Sequence, residues 1–338
     1  MPSRKELIIP VFIPHKGCPH LCVFCNQQRI SGTAESPSAE EVRDMLLARL
    51  GPDTPHAVIA FYGGSFTGLP EGEQLSYLLA AQEFLEKKYA SHVRLSTRPD
   101  QLDSRSLSFL KLYGVKVIEL GVQSMDDRVL ALSGRGHTSA DTVRAARLVK
   151  SAGFVLGIQV MAGLPGDTPA RFMDTISKII SLGPSFVRIY PVLVVSGSRL
   201  AETFKNGEYK PLTLDEAVDI SAKAVKLFRS AAIKVVRVGL QPGRELEESL
   251  VAGPYHPAFG HLVESALAFE RMRAALPATP DAIVPGLAEF RVNPAELSVY
   301  KGIRAENEKA LNNIAGGLAI KIKADSSVPA GGLELVMA

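Results

Sequence analysis

Leu7-Ile8-Ile9-Pro10-Val11-Phe12-Ile13 runs without a charge into Pro14-His15-Lys16-Gly17-Cys18-Pro19-His20-Leu21-Cys22-Val23-Phe24-Cys25, and these nineteen residues orient the reading of the whole chain. The first part is a short, nearly continuous apolar run, as expected of a strand covered on both faces. The second part interrupts it with Pro and Gly and gathers all three cysteines into eight consecutive positions, spaced Cys-x3-Cys-x2-Cys. A buried strand that opens into a loop of reactive side chains belongs to α/β folds, where reactive groups collect at the carboxyl ends of parallel strands.

Further runs of the same kind follow: Ala57 to Tyr62, Val93 to Ser96, Val115 to Val122, Val155 to Met161, Phe186 to Val192 and Lys234 to Val238. Between them lie segments with helical spacing and helix-start residues. Ser38 to Leu50 opens with a Ser38/Glu41 capping box, and Asp103 to Tyr113, Ser139 to Ala152 and Thr213 to Ala231 open with capping residue types. Gly114 and Gly153 supply helix stops. Strands alternating with helices predict an α/β fold with a parallel sheet, either an open doubly wound sheet or a partial (β/α)6-type TIM barrel. After about Leu240 the rhythm changes at Gln241-Pro242-Gly243 and again at Pro254-Tyr255-His256-Pro257. A helix from His256 to about Ala275, a Pro-punctuated stretch and short β-like runs at Leu318 to Ile322 and Leu333 to Met337 complete the chain. We therefore expect a barrel domain over residues 1–240 and a small α+β extension over 241–338.

The 338 residues are 46% hydrophobic and 22% charged, which excludes disordered and collagen-like chains. The formal charge of +3, from 38 Lys and Arg against 35 Asp and Glu, creates no large field of one sign. No window offers the roughly 18 apolar residues of a membrane span, and the segment from Met1 to Glu6 does not resemble a signal peptide, so a cytoplasmic protein is expected. Three cysteines, an odd number, argue against a disulfide framework.

Clustered thiolates are soft ligands for zinc or for an iron-sulfur cluster. Three ligands leave a fourth position open. Zinc would need His15 or His20 as its fourth ligand, and inert buried thiols are the remaining option.

Phe24 before Cys25 gives Cys-x3-Cys-x-aromatic-Cys, and on this motif the chain resembles the radical S-adenosylmethionine superfamily. The resemblance implies a [4Fe-4S] cluster on Cys18, Cys22 and Cys25, with S-adenosylmethionine on the open iron. It extends to Phe61-Tyr62-Gly63-Gly64-Ser65-Phe66-Thr67, where the superfamily has glycines whose backbone meets the methionyl amino group. Glu119-Leu120-Gly121-Val122-Gln123-Ser124 and Arg135-Gly136-His137-Thr138 resemble the branch that contains Elongator subunit 3 and the oxygen-independent coproporphyrinogen oxidases. By that resemblance Gln123 contacts the cofactor ribose and Arg135 its carboxylate. Met161 to Gly166 resembles the branch's Gly-Leu-Pro-Gly turn. Ser96 and Gln159 stand where the oxidases carry acidic contacts, which weighs against a tetrapyrrole substrate. Val187 to Pro191, Ser196 to Leu200 and Gly207-Glu208-Tyr209-Lys210-Pro211-Leu212 bring the radical domain of Elongator subunit 3 nearest, over residues 7–240. The acetyltransferase domain of that subunit has no counterpart in the last hundred residues, where Gly316-Gly317 is too little for an acyl-CoA pyrophosphate loop.

The expected cofactor contacts are thus Phe24, Gly63, Gly64, Ser65, Ser96, Glu119, Gln123, Arg135 and Gln159. Glu119 shares a strand face with Gly121 and Gln123 and is either a cofactor contact or a paired interior carboxylate. The resemblance implies a radical enzyme that modifies a substrate such as RNA, with a reductant of flavodoxin or ferredoxin type and no membrane partner. A small-molecule radical enzyme and a non-catalytic iron-sulfur protein for electron transfer or interaction are the alternatives. For RNA, Lys16, Arg98, Arg188 and Lys210 are candidate phosphate contacts at strand ends.

Overall fold

The computed structural model describes residues 6–31, 35–54, 56–277, 286–315 and 317–337. The reading of Met1 to Lys5, and that of Gly316, lie outside the described residues.

Strands β1 (Leu7–Ile13), β2 (Ala57–Gly63), β3 (Ala90–Thr97), β4 (Val115–Gln123), β5 (Val155–Ala162) and β6 (Phe186–Pro191) follow one another with helical crossovers. A two-residue strand β7 (Val194–Val195) precedes β8 (Lys234–Val238). Seven of these pair in the order β1-β2-β3-β4-β5-β6-β8, every pair parallel. The sheet curls into a half-barrel, the partial TIM barrel that the βα rhythm and the resemblance imply. β7 pairs instead with β9 (Leu250–Ala252).

Local chemistry explains the helices. Ser38, Asp103, Thr138 and Thr213 each cap a helix with a complete capping box, which satisfies backbone donors that the first turn leaves open. Thr168 caps the helix Pro169–Leu182, and Gly183, with φ 62°, ends it in the left-handed conformation. Alternate strand residues such as Ile59, Leu95, Ile118, Ile158 and Val187 are fully buried on the face covered by helices. Phe61 of β2 packs its ring 5.8 Å from that of Tyr77 in the helix Glu71–Glu86. The opposite alternation, Tyr62, Ser96, Glu119, Gln159 and Arg188, lines the concave face.

The described chain divides into two compact units. The half-barrel unit runs to Ala217 and resumes over Leu227–Tyr255, so Gln241 to Tyr255 cluster with it. The second unit takes Val218–Lys226 and the chain from His256 onward. There β10 (Leu287–Val292) pairs in parallel with β11 (Ala319–Ala324) and antiparallel with β12 (Glu334–Met337). Phe290, Met272, Tyr300, Leu311, Ile320 and Ile322 form its core. No described helix is long and apolar enough to cross a membrane.

Candidate active site at the carboxyl ends of the strands

The cysteine loop leaves β1 at its carboxyl end and is held on three sides. On the first, Ser65 N–H donates to the Lys16 carbonyl at 2.9 Å, and Gln101 Nε2 donates to Gly17 O at 3.1 Å. The glycines here permit contact between main chains: a Cβ on Gly64 would stand 2.1 Å from Lys16 O, and one on Gly17 2.1 Å from Ser65 O. On the second side Val23 N–H donates to Ser133 O at 3.0 Å, and Gly136 lies against the His20 ring. On the third, Leu200 N–H donates to Val23 O at 2.8 Å and Asn26 Nδ2 to Ser196 O at 2.9 Å. The Ser196 to Leu200 segment thus braces the loop. In the same way Tyr209 OH donates to Gly163 O at 2.7 Å, so the Gly207 to Leu212 segment braces the Gly-Leu-Pro-Gly turn.

All three thiols are free of disulfides; Cys22 is buried with Phe24 in a cluster that includes Val129, Leu164 and Leu200. Burial pushes the Cys25 thiol up to about 12, helped by the neighbouring Cys22 and Cys18. Arg135 crosses over from the chain after β4. Its Nη1 is 3.1 Å from Cys22 Sγ, its Nη2 donates to Gly121 O, and its Nε has no partner among the described residues. Gln123 ends β4 at a bulge with φ 68°, a strained conformation for a residue with a side chain, and its buried Oε1 is likewise unpartnered. A strained strand end, an orphaned amide oxygen and an orphaned guanidinium nitrogen beside three soft sulfur donors fit a cluster with a polar ligand at its side. Among the described residues no group of three or more His, Cys, Asp or Glu stands as a ready metal site. His15 Nε2 accepts from Gln27 N–H at 3.0 Å, which engages one ring nitrogen that the zinc alternative needs.

Arg98, Asp100 and His137 complete this region; Arg98 was read from the sequence only as a phosphate candidate, and Asp100 and His137 escaped that reading as site residues. Arg98 forms a two-pronged pair with Asp100, both contacts 3.0 Å, and donates to Arg135 O, so it holds the arginine loop, while its buried Nη1 has no partner among the described residues. The Pro after Arg98 and the paired Asp100 were the available signals. Lys16, another of the four phosphate candidates, pairs with Glu73 at 3.0 Å.

His137 is buried, and neither ring nitrogen has a partner among the described residues. Burial, with the Arg135 and Arg98 charges, holds it down to about 4, so the ring is neutral at pH 7. An unfolded histidine titrates near 6.5, so the unfolded chain takes up this proton first. The contribution of the neutral ring is complete above about pH 6.5 and declines as the pH falls toward 4, by up to roughly 3 kcal/mol. Urea midpoints of His137→Leu measured between pH 7 and 4 should fall less steeply than those of the parent; parallel slopes would refute the assignment.

Glu119 resolves as the paired interior carboxylate. Its Oε1 accepts from Arg94 Nε and Nη2 at 2.9 and 2.6 Å and from Tyr62 OH at 2.9 Å, while Oε2 accepts from Arg188 Nε at 2.7 Å. Burial pushes this carboxyl up, but the Arg188 and Arg94 charges outweigh it and hold the group below the usual carboxylate range. Gln159 Nε2 reaches Ser96 Oγ at 3.3 Å and Glu119 Oε2 at 3.5 Å, so Ser96 and Gln159 join the same network. Ser65 turns its hydroxyl to Thr97 Oγ1 at 3.0 Å and receives Arg98 N–H at 3.2 Å.

Residues 12–179 match the Radical SAM superfamily and residues 184–268 the Radical SAM C-terminal domain. The chain is also 33% identical over 232 residues to an uncharacterized protein of Methanocaldococcus jannaschii, covering 65% of this chain and 70% of that relative. The chain belongs to the radical SAM superfamily. A tRNA uridine(34) acetyltransferase of Methanocaldococcus jannaschii is 35% identical over 263 residues, which cover 65% of this chain and 49% of that relative; the radical SAM chain thus spans about half of its length. The solved structure of Methanocaldococcus infernus Elp3 with an N-terminal deletion superposes with a TM-score of 0.62 at 22% identity, over 80% of this chain and 64% of that one, and shares the fold. The protein is a radical SAM enzyme with Elongator-like relatives.

Proposed function

We propose that Cys18, Cys22 and Cys25 hold a [4Fe-4S] cluster, that S-adenosylmethionine binds beside it, and that the enzyme modifies RNA. The observation that carries this reading is the three-thiol loop pinned at the strand ends next to the orphaned Gln123 Oε1 and Arg135 Nε. When bound and reduced, such a cluster supplies the electron that cleaves S-adenosylmethionine to methionine and a 5'-deoxyadenosyl radical. The chain's own part is positional. Gly63, Gly64 and Ser65 present backbone to the methionyl end, Gln123 donates and accepts at the ribose, and Arg135 neutralises the carboxylate while its other nitrogen faces Cys22 sulfur. Phe24 excludes water beneath the thiols. Glu119, Ser96 and Gln159 act from the concave face, as a fixed polar floor. A reductant of flavodoxin or ferredoxin type is required. The RNA substrate is supported by the relative named a tRNA uridine(34) acetyltransferase.

Anaerobic reconstitution is expected to load about four iron and four sulfide per chain, and Cys22→Ser to lose most of that iron. Reduced enzyme should release 5'-deoxyadenosine slowly, and faster with total tRNA. Zinc at one per chain in place of iron would overturn the cluster; release that tRNA leaves unchanged, with no tRNA binding at low salt, would overturn the RNA substrate.

A further inference from the structure

The concave face of the half-barrel carries more positive than negative charge. Glu119 is shared by two guanidiniums, Arg94 and Arg188. Arg237 of β8 stands opposite Arg188 in register, and its donors reach two neutral oxygens, the Gly239 carbonyl at 3.2 Å and the Gln241 side chain. Three guanidiniums therefore meet one carboxylate, and among the described residues no carboxylate forms an ion pair with Arg237. Like charges placed opposite each other on neighbouring strands destabilise a sheet. An anion between Arg188 and Arg237 would remove that repulsion. Both arginines reach toward solvent: the contact of Arg237 with Gln241 is exposed, and the Arg188 side chain is 13% exposed against 7% for Arg94. Tyr190, two residues beyond Arg188 on the same strand face, lies in the fields of both arginines. A guanidinium fork suits the oxygens of a phosphate, which it can engage through two parallel hydrogen bonds.

We propose that Arg188 and Arg237, with Tyr190 beside them, form a phosphate-binding site on the concave face that seats a backbone phosphate of the substrate RNA. The site rests on the RNA reading given above and deepens it. Neither arginine belongs to the group around the thiols.

The test uses the full chain with inorganic phosphate and total tRNA as probes. Phosphate should raise the thermal midpoint above that in chloride of equal ionic strength, and Arg237→Gln should abolish the increment. The same variant should weaken tRNA binding roughly tenfold and lower the salt slope by about one, the signature of one lost phosphate contact. Arg237→Lys, which keeps the charge and loses the fork, should recover part of the affinity. Lys234→Gln removes the same charge from the exposed amino end of the same strand and should leave both measurements nearly unchanged. If phosphate has no effect and Arg237→Gln binds tRNA normally, or if Lys234→Gln is as damaging as Arg237→Gln, the site is refuted. A phosphate effect lost in Arg237→Gln without any loss of tRNA affinity would overturn the RNA backbone as its occupant. Release of 5'-deoxyadenosine by the unsubstituted enzyme without RNA tests the radical chemistry separately, so either reading can fail alone.

Discussion

Glu119→Ala is expected to lose about 3–5 kcal/mol of folding stability, because it leaves the Arg94 and Arg188 guanidiniums facing each other in the half-barrel with no counter-charge. That is a large part of the roughly 5–15 kcal/mol that holds a domain together. Tyr62 OH would lose its acceptor as well. Glu119→Gln keeps an acceptor but not the charge and should fall between the two. The pH dependence follows from the depressed titration of this carboxyl. Its stabilising contribution is complete above the ordinary glutamate value of about 4.3 and is lost as the pH falls through the lower folded value. Urea titrations at pH 7 and along the acid limb should show Glu119→Gln with the shallower decline. A loss under about 1 kcal/mol for the alanine variant would mean that the two arginines find other partners.

Gly64→Ala should do comparable damage by a different route. The new Cβ would meet Lys16 O at 2.1 Å and Ile13 O at 2.6 Å, both backbone atoms that no rotamer change can move. Relief requires the strand-end loop to shift, which breaks the Ser65 N–H to Lys16 O hydrogen bond and displaces Cys18 two residues away. We expect a loss of several kcal/mol, as for other overpacked sites, together with poor iron incorporation. Gly63→Ala is the control. Its φ of 99° strains any side chain, yet the nearest atoms would lie at 3.4 Å, so it should cost only about 1–3 kcal/mol. The reverse order of severity would show that conformation, rather than close approach, selects glycine in this pair.

Much of the frame was legible because it depends on local chemistry. The apolar runs predicted all seven strands of the main sheet, with Leu7–Ile13 and Lys234–Val238 matched at both ends. Four capping boxes lie at or beside the predicted helix starts. β10 was missed because Leu287–Val292 follows a Pro-punctuated stretch and is defined by partners more than twenty residues further on. The site divides along the same line. The thiols announce themselves by spacing, and Gln123 and Arg135 through resemblance. Pairings across strands are invisible to either: Glu119 meets Arg94 from one neighbour and Arg188 from two strands away. An arginine inside the apolar run Val93 to Ser96 was the trace of that network in the sequence. The pairing of Arg98 with Asp100 two residues later was likewise not legible from strand-end position.

The double clasp on Val23, by Ser133 on one side and Leu200 on the other, imposes an order on biosynthesis. The loop that bears the thiols leaves the ribosome well before its second clasp, which is translated some 175 residues later. At about 5–20 residues per second that interval lasts roughly 10–35 s, during which the nascent cysteines have no finished scaffold. A cluster of the proposed kind delivered in that window would meet an unshaped peptide, so its insertion is expected after the half-barrel has closed, and iron starvation is expected to leave a folded apoprotein rather than an arrested chain.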